Sequence, residues 1–190
     1  MRPIGRHFEI YPRGLRSIDM PNIRQLQGVV SPEVFQAMTD ASGQLKSLGI
    51  LHALAGGLAV SAWGHPRFTK DVDFLVDVTA FDVSPSGIVS FKAGVPLQVR
   101  GIVVDPILPK EKEEHLFEAL RNPVVSEGIP ILPVEALVYM KLEAGRSKDI
   151  GDVVEILRSG ADRSSIHAYL ERHASKLLDK FSKALKESDE

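Results

Sequence analysis

Two aspartates, Asp71 and Asp73, stand one residue apart in a run that otherwise has the composition of a buried strand. In an extended strand, residues i and i+2 point to the same face. The two carboxylates therefore project together, while Val72, Phe74 and Val76 project to the other side. Carboxylates held side by side repel each other unless they share a proton or a cation. Because Mg²⁺ prefers oxygen ligands and often combines a few carboxylates with substrate phosphates, this pair is a candidate metal clamp.

Two adjacent glycines, Gly56 and Gly57, precede the aspartates at the end of an apolar run. The run from 50 to 55 is predicted to be a short buried strand, and Leu58 to Trp63 a helix. Glycine lets a backbone approach a ligand closely, and a helix N-terminus offers free N–H groups to a phosphate. A plain tight turn is the alternative. The position of the pair before Asp71-Val-Asp73 favours the phosphate-binding interpretation.

This combination resembles the glycine pair and Asp-x-Asp signature of the DNA polymerase beta-like nucleotidyltransferase superfamily. The longer string from Ala55 through Gly64-His-Pro-Arg67-Phe-Thr69 to Val76 is similar to small bacterial nucleotidyltransferase-like proteins. These include the AbiEii type, which act as toxins in toxin–antitoxin pairs. The resemblance covers about residues 50–160 and is strongest at 55–77 and 133–157.

The resemblance implies a third carboxylate on a strand beside the Asp-x-Asp strand, and Asp105 is the candidate. It follows apolar β-forming residues in a predicted strand from Gly101 to Leu108, an unusual place for a merely solvated aspartate. Pro106 holds Asp105 in an extended backbone and removes a ladder donor. We therefore expect the strand to end there or to lie at an edge. An aspartate that opens a turn is the alternative.

Cations near the glycines and far along the chain are candidates for binding phosphate. Arg67 and Thr69 lie in the loop just before the carboxylates. The stretch 132–152 also resembles the downstream segment of these proteins. The resemblance implies that three cations of this stretch line the nucleotide side of the cleft, namely Lys141, Arg146 and Lys148. The alternative is that these three cations form salt bridges with nearby acids, namely Glu143, Asp149 and Asp152.

Composition sets limits on the function. The 190-residue chain has no cysteine, which removes disulfides and thiolate sites and suits a reducing cytoplasm. A net charge of −2 gives no bulk attraction to nucleic acid or to an anionic membrane. No run approaches the roughly 18 apolar residues of a membrane span. The chain is expected to be a cytoplasmic protein with no membrane partner.

The predicted architecture is α/β, a small mixed sheet packed with helices and followed by C-terminal helices. We divide the chain into an N-terminal arm over 1–30, a nucleotidyltransferase-like domain over 31–160 and an amphipathic C-terminal helix over 161–190. A helix begins at Ser31-Pro32 with Val34, Met38, Leu45 and Leu48 on its apolar side. Residues 79–87 are predicted to be a connection, 88–92 and 96–100 short strands, and 164–186 one long helix.

The resemblance implies transfer of a nucleoside monophosphate from a nucleoside triphosphate, ATP for example, to a hydroxyl. Two Mg²⁺ ions would be held by Asp71, Asp73 and Asp105, while Gly56, Gly57 and the cations would bind phosphates. The acceptor is left open among a tRNA end, a protein side chain and a small molecule. The alternative is a non-catalytic module that binds a nucleotide or a partner, such as an antitoxin.

Overall fold

The computed structural model describes residues 20–77 and 97–190. The strands are β1 (His52–Leu54), β2 (Val72–Val76), β3 (Leu97–Val99), β4 (Ile102–Ile107), β5 (Val124–Ser126) and β6 (Ile129–Ile131). The helices are α1 (Pro32–Ser47), α2 (Gly56–Ala62), α3 (Glu114–Arg121), α4 (Val134–Ala144), α5 (Ser147–Arg158), α6 (Arg163–His173) and α7 (Leu178–Ser188). The connection predicted for 79–87, the strand predicted for 88–92 and most of the predicted arm lie outside the described residues.

The described strands form one mixed sheet in the order β3-β4-β2-β1-β6-β5. β2 pairs with β4 in parallel and with β1 antiparallel, so it lies in the middle of the sheet. Helix α1 covers one face, where Ala41 and Leu45 lie beside Phe74 and Val104 around a small apolar cavity. The predicted α/β class, a mixed sheet packed with helices and followed by C-terminal helices, is confirmed.

Helix α1 begins where the sequence predicts, because the Ser31 side chain accepts a hydrogen bond from the backbone N–H of Val34. Val34, Met38 and Leu45 are buried as expected. Leu48 was assigned to the same apolar stripe, and that assignment is wrong. It follows the last helical residue and is exposed, since the chain leaves the helix before Leu48 can reach the core.

Pro106 predicted either an end of the strand at Asp105 or a position at a sheet edge, and strand β4 does not end at Asp105. It continues to Ile107, and Pro106 pairs with Phe74 of β2. The described ladder with β3 stops at Val104, so the missing N–H of Pro106 falls beyond it. Strands β5 and β6 form an antiparallel hairpin. Its turn uses Glu127 and Gly128, both with positive φ.

The long helix predicted for 164–186 is two helices. α6 ends at His173, Ala174 adopts an extended φ of −158°, and a 3₁₀ turn over Ser175–Leu177 leads into α7. The apolar spacing continues through the break, but the two helices bury it against different neighbours: α6 packs on α4 and α7 on α5. Tertiary packing therefore bends a segment that carries no glycine or proline.

One hydrophobic core joins the described parts of the chain. It extends from Ile23 and Leu26, which are fully buried, to Phe181 and Ala184 in the last helix. The division of the chain after residues 30 and 160 stays a prediction. Within 20–77 and 97–190, none of the helices combines the length and the apolar character needed to cross a bilayer.

Candidate active site

A cleft of about 410 Å³ opens between the glycine turn, the edge of β2 and β4 that carries the aspartates, and the facing side of α4 and α5. Every residue that the sequence analysis assigned to a site lines this cleft: Gly56, Gly57, Arg67, Thr69, Asp71, Asp73, Asp105, Lys141, Arg146 and Lys148. These residues come from segments that are far apart in the chain. The fold brings them together at a size suited to a small ligand.

The floor of the cleft is acidic. Asp73 and Asp105 are register partners in the parallel pairing of β2 with β4, and partners in such a pair share one face of the sheet. Asp71, two residues before Asp73, projects to that same side. Val72, Phe74 and Val76 are buried on the opposite side, as the alternation predicts. Three carboxylates therefore project from one side of the sheet.

Burial raises the pKa of the Asp73 carboxyl above its ordinary value, and the neighbouring charges of Asp105 and Asp71 raise it further. The Lys141 ammonium and a hydrogen bond from the Gly57 backbone N–H act in the opposite direction without cancelling the shift. An anionic Asp73 is thus costly in the free protein. A cation bound between these carboxylates would remove that cost.

The glycine pair packs directly against functional side chains. Gly56 has a φ of +57°, and a Cβ at this position would overlap the carboxylate of Asp73. A Cβ at Gly57 would lie 2.8 Å from Arg67 Nη2 and 3.1 Å from Thr69 Oγ1. The Gly57 N–H is directed at Asp73. The glycines therefore allow the backbone to lie close to the site's own side chains. Their contact with a phosphate stays a prediction.

Lys141 is nearly buried and lies between two carboxylates of α5. Its Nζ is 3.1 Å from Asp149 Oδ1 and 2.7 Å from Asp152 Oδ2. Asp149 is 0% exposed and Asp152 is 5% exposed. Burial by itself would raise the pKa of Asp149, but hydrogen bonds from Arg146 and Lys141 outweigh it and hold the pKa below its ordinary value. The salt-bridge alternative is thus what the free protein adopts at Lys141.

Arg67 belongs to the same network, with Nε 3.0 Å from Asp152 Oδ1. Arg146 donates to Asp149 from Nε and Nη2, yet 64% of its side chain remains exposed. Lys148 also lines the cleft, is exposed, and has no ion pair with a described residue. The cationic wall therefore grades from the buried Lys141 to the accessible Lys148.

Other residues that line the cleft were not predicted from the sequence. Asp149 had been considered only as a salt-bridge partner, and an apolar wall completes the lining with Ile107, Leu137, Met140 and Ala144. The wall could have been found from spacing, because residues 137, 140, 141 and 144 follow the i, i+3, i+4, i+7 pattern of one helix face. Ile107 could have been found as the residue two after Asp105.

The chemistry of the floor fits a hard divalent cation, because its donors are carboxylate oxygens and one of them resists ionisation. The side-chain positions do not yet form a metal site. Among residues 20–77 and 97–190, no three acidic or histidine side chains are gathered closely enough to hold an ion as they stand. The carboxylates would have to turn toward a common point when an ion binds. The magnesium ions stay a prediction.

No family model matches the chain, and no protein of curated function matches it. The crystal structure of an antigenic nucleotidyltransferase-like protein from Paracoccidioides brasiliensis is similar over 82% of this chain and 93% of its own, with 16% identity and a TM-score of 0.43. The functional assignment rests on the cleft's own residues.

Proposed function

We propose that the protein is a nucleotidyltransferase that moves a nucleoside monophosphate from a nucleoside triphosphate to a hydroxyl acceptor. One observation carries the proposal: the glycine pair, the aspartates and the cations of the resembling motifs all line a single cleft. An acidic floor beside a cationic wall suits a ligand that brings both phosphates and their counter-ions. A structural domain would gain nothing from three carboxylates on one side of a sheet.

In this reaction the acceptor oxygen forms a bond to the α-phosphorus and the bond to the β-phosphate breaks, which releases pyrophosphate. The cationic wall would bind the triphosphate and offset the charge that develops on the leaving group. Lys148 and Arg146 are the accessible cations for this role. Arg67, packed against Gly57, would act at the floor.

Asp71, Asp73 and Asp105 would hold two Mg²⁺ ions. The chemistry such ions would supply is electrostatic stabilisation of the attacking and leaving oxygens. The chain's own contribution is to fix three carboxylates on one side of a parallel strand pair. Asp105 would also accept the proton of the acceptor hydroxyl.

Titration calorimetry with ATP, GTP, CTP and UTP, with and without Mg²⁺, tests the proposal. The wild type is compared with Asp71→Asn/Asp73→Asn. A matched control, Glu171→Gln/Asp179→Asn, removes two exposed carboxylates of α6 and α7 that do not line the cleft. We expect Mg²⁺-dependent binding that the first variant loses and the control retains, followed by Mg²⁺-dependent pyrophosphate release once an acceptor is supplied.

Two results would overturn the assignment. Binding that is unchanged in Asp71→Asn/Asp73→Asn would remove the metal–triphosphate site from the aspartates. Absence of binding to the wild type with all four nucleotides would favour the alternative, a module that binds a partner chain such as an antitoxin. Purification of the protein with a co-expressed genomic neighbour would then be the next experiment.

A further inference from the structure

Asp152 stands directly behind the cleft and does not line it. It is 5% exposed and lies on α5, three residues after the cleft-lining Asp149. A carboxylate that is almost fully buried is stable only when cations compensate its charge. Its partners therefore identify what the residue does.

The two partners of Asp152 are cleft residues from separate segments. Oδ1 lies 3.0 Å from Nε of Arg67, in the loop after α2, and Oδ2 lies 2.7 Å from Nζ of Lys141, on α4. Both ion pairs satisfy the distance for a salt bridge, although neither Arg67 Nε nor Asp152 Oδ2 makes a well-aligned hydrogen bond with any described residue. One carboxylate thus connects the loop, α4 and α5.

The position of Arg67 depends on this contact. Its backbone is held by Ser61, whose Oγ accepts from the Arg67 N–H and donates to the Arg67 carbonyl, each at 3.2 Å. At the other end, Nη2 packs against Gly57 at the floor of the cleft. Asp152 holds the guanidinium between these points, so that one edge of the group remains directed into the cleft.

From this geometry we infer that Asp152 is a positioning residue for the phosphate-binding cations of the site. It acts through Arg67 and Lys141 and does not touch the ligand. The inference rests on the proposed function and deepens it, because it gives the Asp152 carboxylate the role of orienting the cations that bind phosphate. Lys141 keeps Asp149 when Asp152 is lost. Arg67 keeps no other acidic partner among the described residues, so Arg67 is the cation most affected.

The test compares the affinity for a nucleoside triphosphate with that for the corresponding monophosphate, because the difference reports the β- and γ-phosphate contacts. It uses wild type, Asp152→Asn, Asp152→Glu and the control Glu155→Gln. The control removes another α5 carboxylate, one that pairs with Arg158 and His65 and does not line the cleft.

In Asp152→Asn we expect about tenfold weaker triphosphate binding, equivalent to ~1.4 kcal/mol, with monophosphate binding changed less than about twofold. Asp152→Glu should recover part of the loss, and Glu155→Gln should resemble wild type. A merely structural role would weaken both ligands equally, and that result would overturn the inference. Tighter triphosphate binding in Asp152→Asn would also overturn it, because Asp152 would then act only as an opposing charge.

The outcomes also separate this inference from the proposed function. If the wild type binds no nucleotide, both are overturned. If the wild type binds and Asp152→Asn binds equally well, only the inference is overturned. If Asp152→Asn does not fold, Arg67→Gln tests the same contact from the other side. It should reduce the triphosphate affinity selectively by a similar factor, and an equal effect on the monophosphate would contradict the positioning role.

Discussion

Gly56 lies so close to Asp73 that the Cβ of any other residue would overlap the Asp73 carboxylate. The glycine also has a φ of +57°, a conformation that L side chains adopt at a cost of about 1–2 kcal/mol. The turn and the acidic floor are therefore built as one unit. The absence of a side chain at position 56 is what allows Asp73 to sit behind the turn.

Gly56→Ala should lower the free energy of unfolding by about 2–4 kcal/mol, because backbone strain and overlap add. Gly43→Ala is the matched control: Gly43 lies inside α1 with no atom near the added methyl group. There the same substitution should stabilise the protein by about 0.5–1 kcal/mol. Chemical denaturation of both variants measures the difference, and equal effects would contradict the close packing of Gly56 and Asp73.

Asp73→Asn should be more stable than wild type at neutral pH. The pKa of Asp73 is raised in the folded protein, so the ionised carboxylate disfavours folding above the folded pKa. This penalty disappears as the pH falls toward the ordinary value of 3.8, and the stability difference should shrink with it. Thermal unfolding at several pH values checks the trend, because a stability difference of 1 kcal/mol shifts the Tm by about 2–4 °C. A less stable variant at pH 7 would contradict it.

Lys148→Ala should weaken binding of a nucleoside triphosphate about fivefold, since an exposed cation–phosphate contact contributes about 1 kcal/mol. The fold should be unaffected because Lys148 is exposed and has no ion pair among the described residues. Lys183→Ala, on the exposed side of α7 and away from the cleft, controls for the loss of one positive charge. Calorimetry on the two variants tests the expectation, and an equal loss in both would indicate only a long-range charge effect.

His115→Phe should reduce the acid sensitivity of the fold. Burial lowers the pKa of His115, as does the stacked His173, while Glu113 opposes them; Tyr139 and Tyr169 complete its surroundings. A lowered histidine pKa contributes stability that is present above the ordinary value of 6.5 and lost as the pH falls below it. As the pH is lowered from 8 to 5, the free energy of unfolding of the variant should increase relative to that of wild type. Denaturant titrations measure this difference.

The same substitution removes a buried ring nitrogen, His115 Nε2, that has no hydrogen-bond partner in the described part of the chain. A gain of about 1 kcal/mol is therefore expected even at pH 8. His167→Gln, at an exposed position of α6, is the control for loss of a histidine. An identical pH dependence in His115→Phe would show that His115 does not couple protonation to folding.

Local pattern was enough to predict the faces of the strands and the start of the first helix. The alternation around Asp71 and Asp73 placed Phe74 in the core and the carboxylates on the other side. Such features depend on residues within a few positions of one another. Pattern was not enough for strand β5, which has only three residues, nor for the break at Ala174, where spacing alone predicted one continuous helix.

The sequence by itself determined which chemical groups the cleft contains: the glycine turn, the aspartates of two strands and the cations of the 132–152 segment. Only the tertiary structure decided how their charges pair. Lys141 and Arg67 are far apart in the chain and meet at Asp152 because α4, α5 and the loop after α2 pack together. The physical reason is that strand and helix periods act over neighbouring residues, whereas the partner of a buried charge is chosen by whichever opposite charge the packing brings within reach.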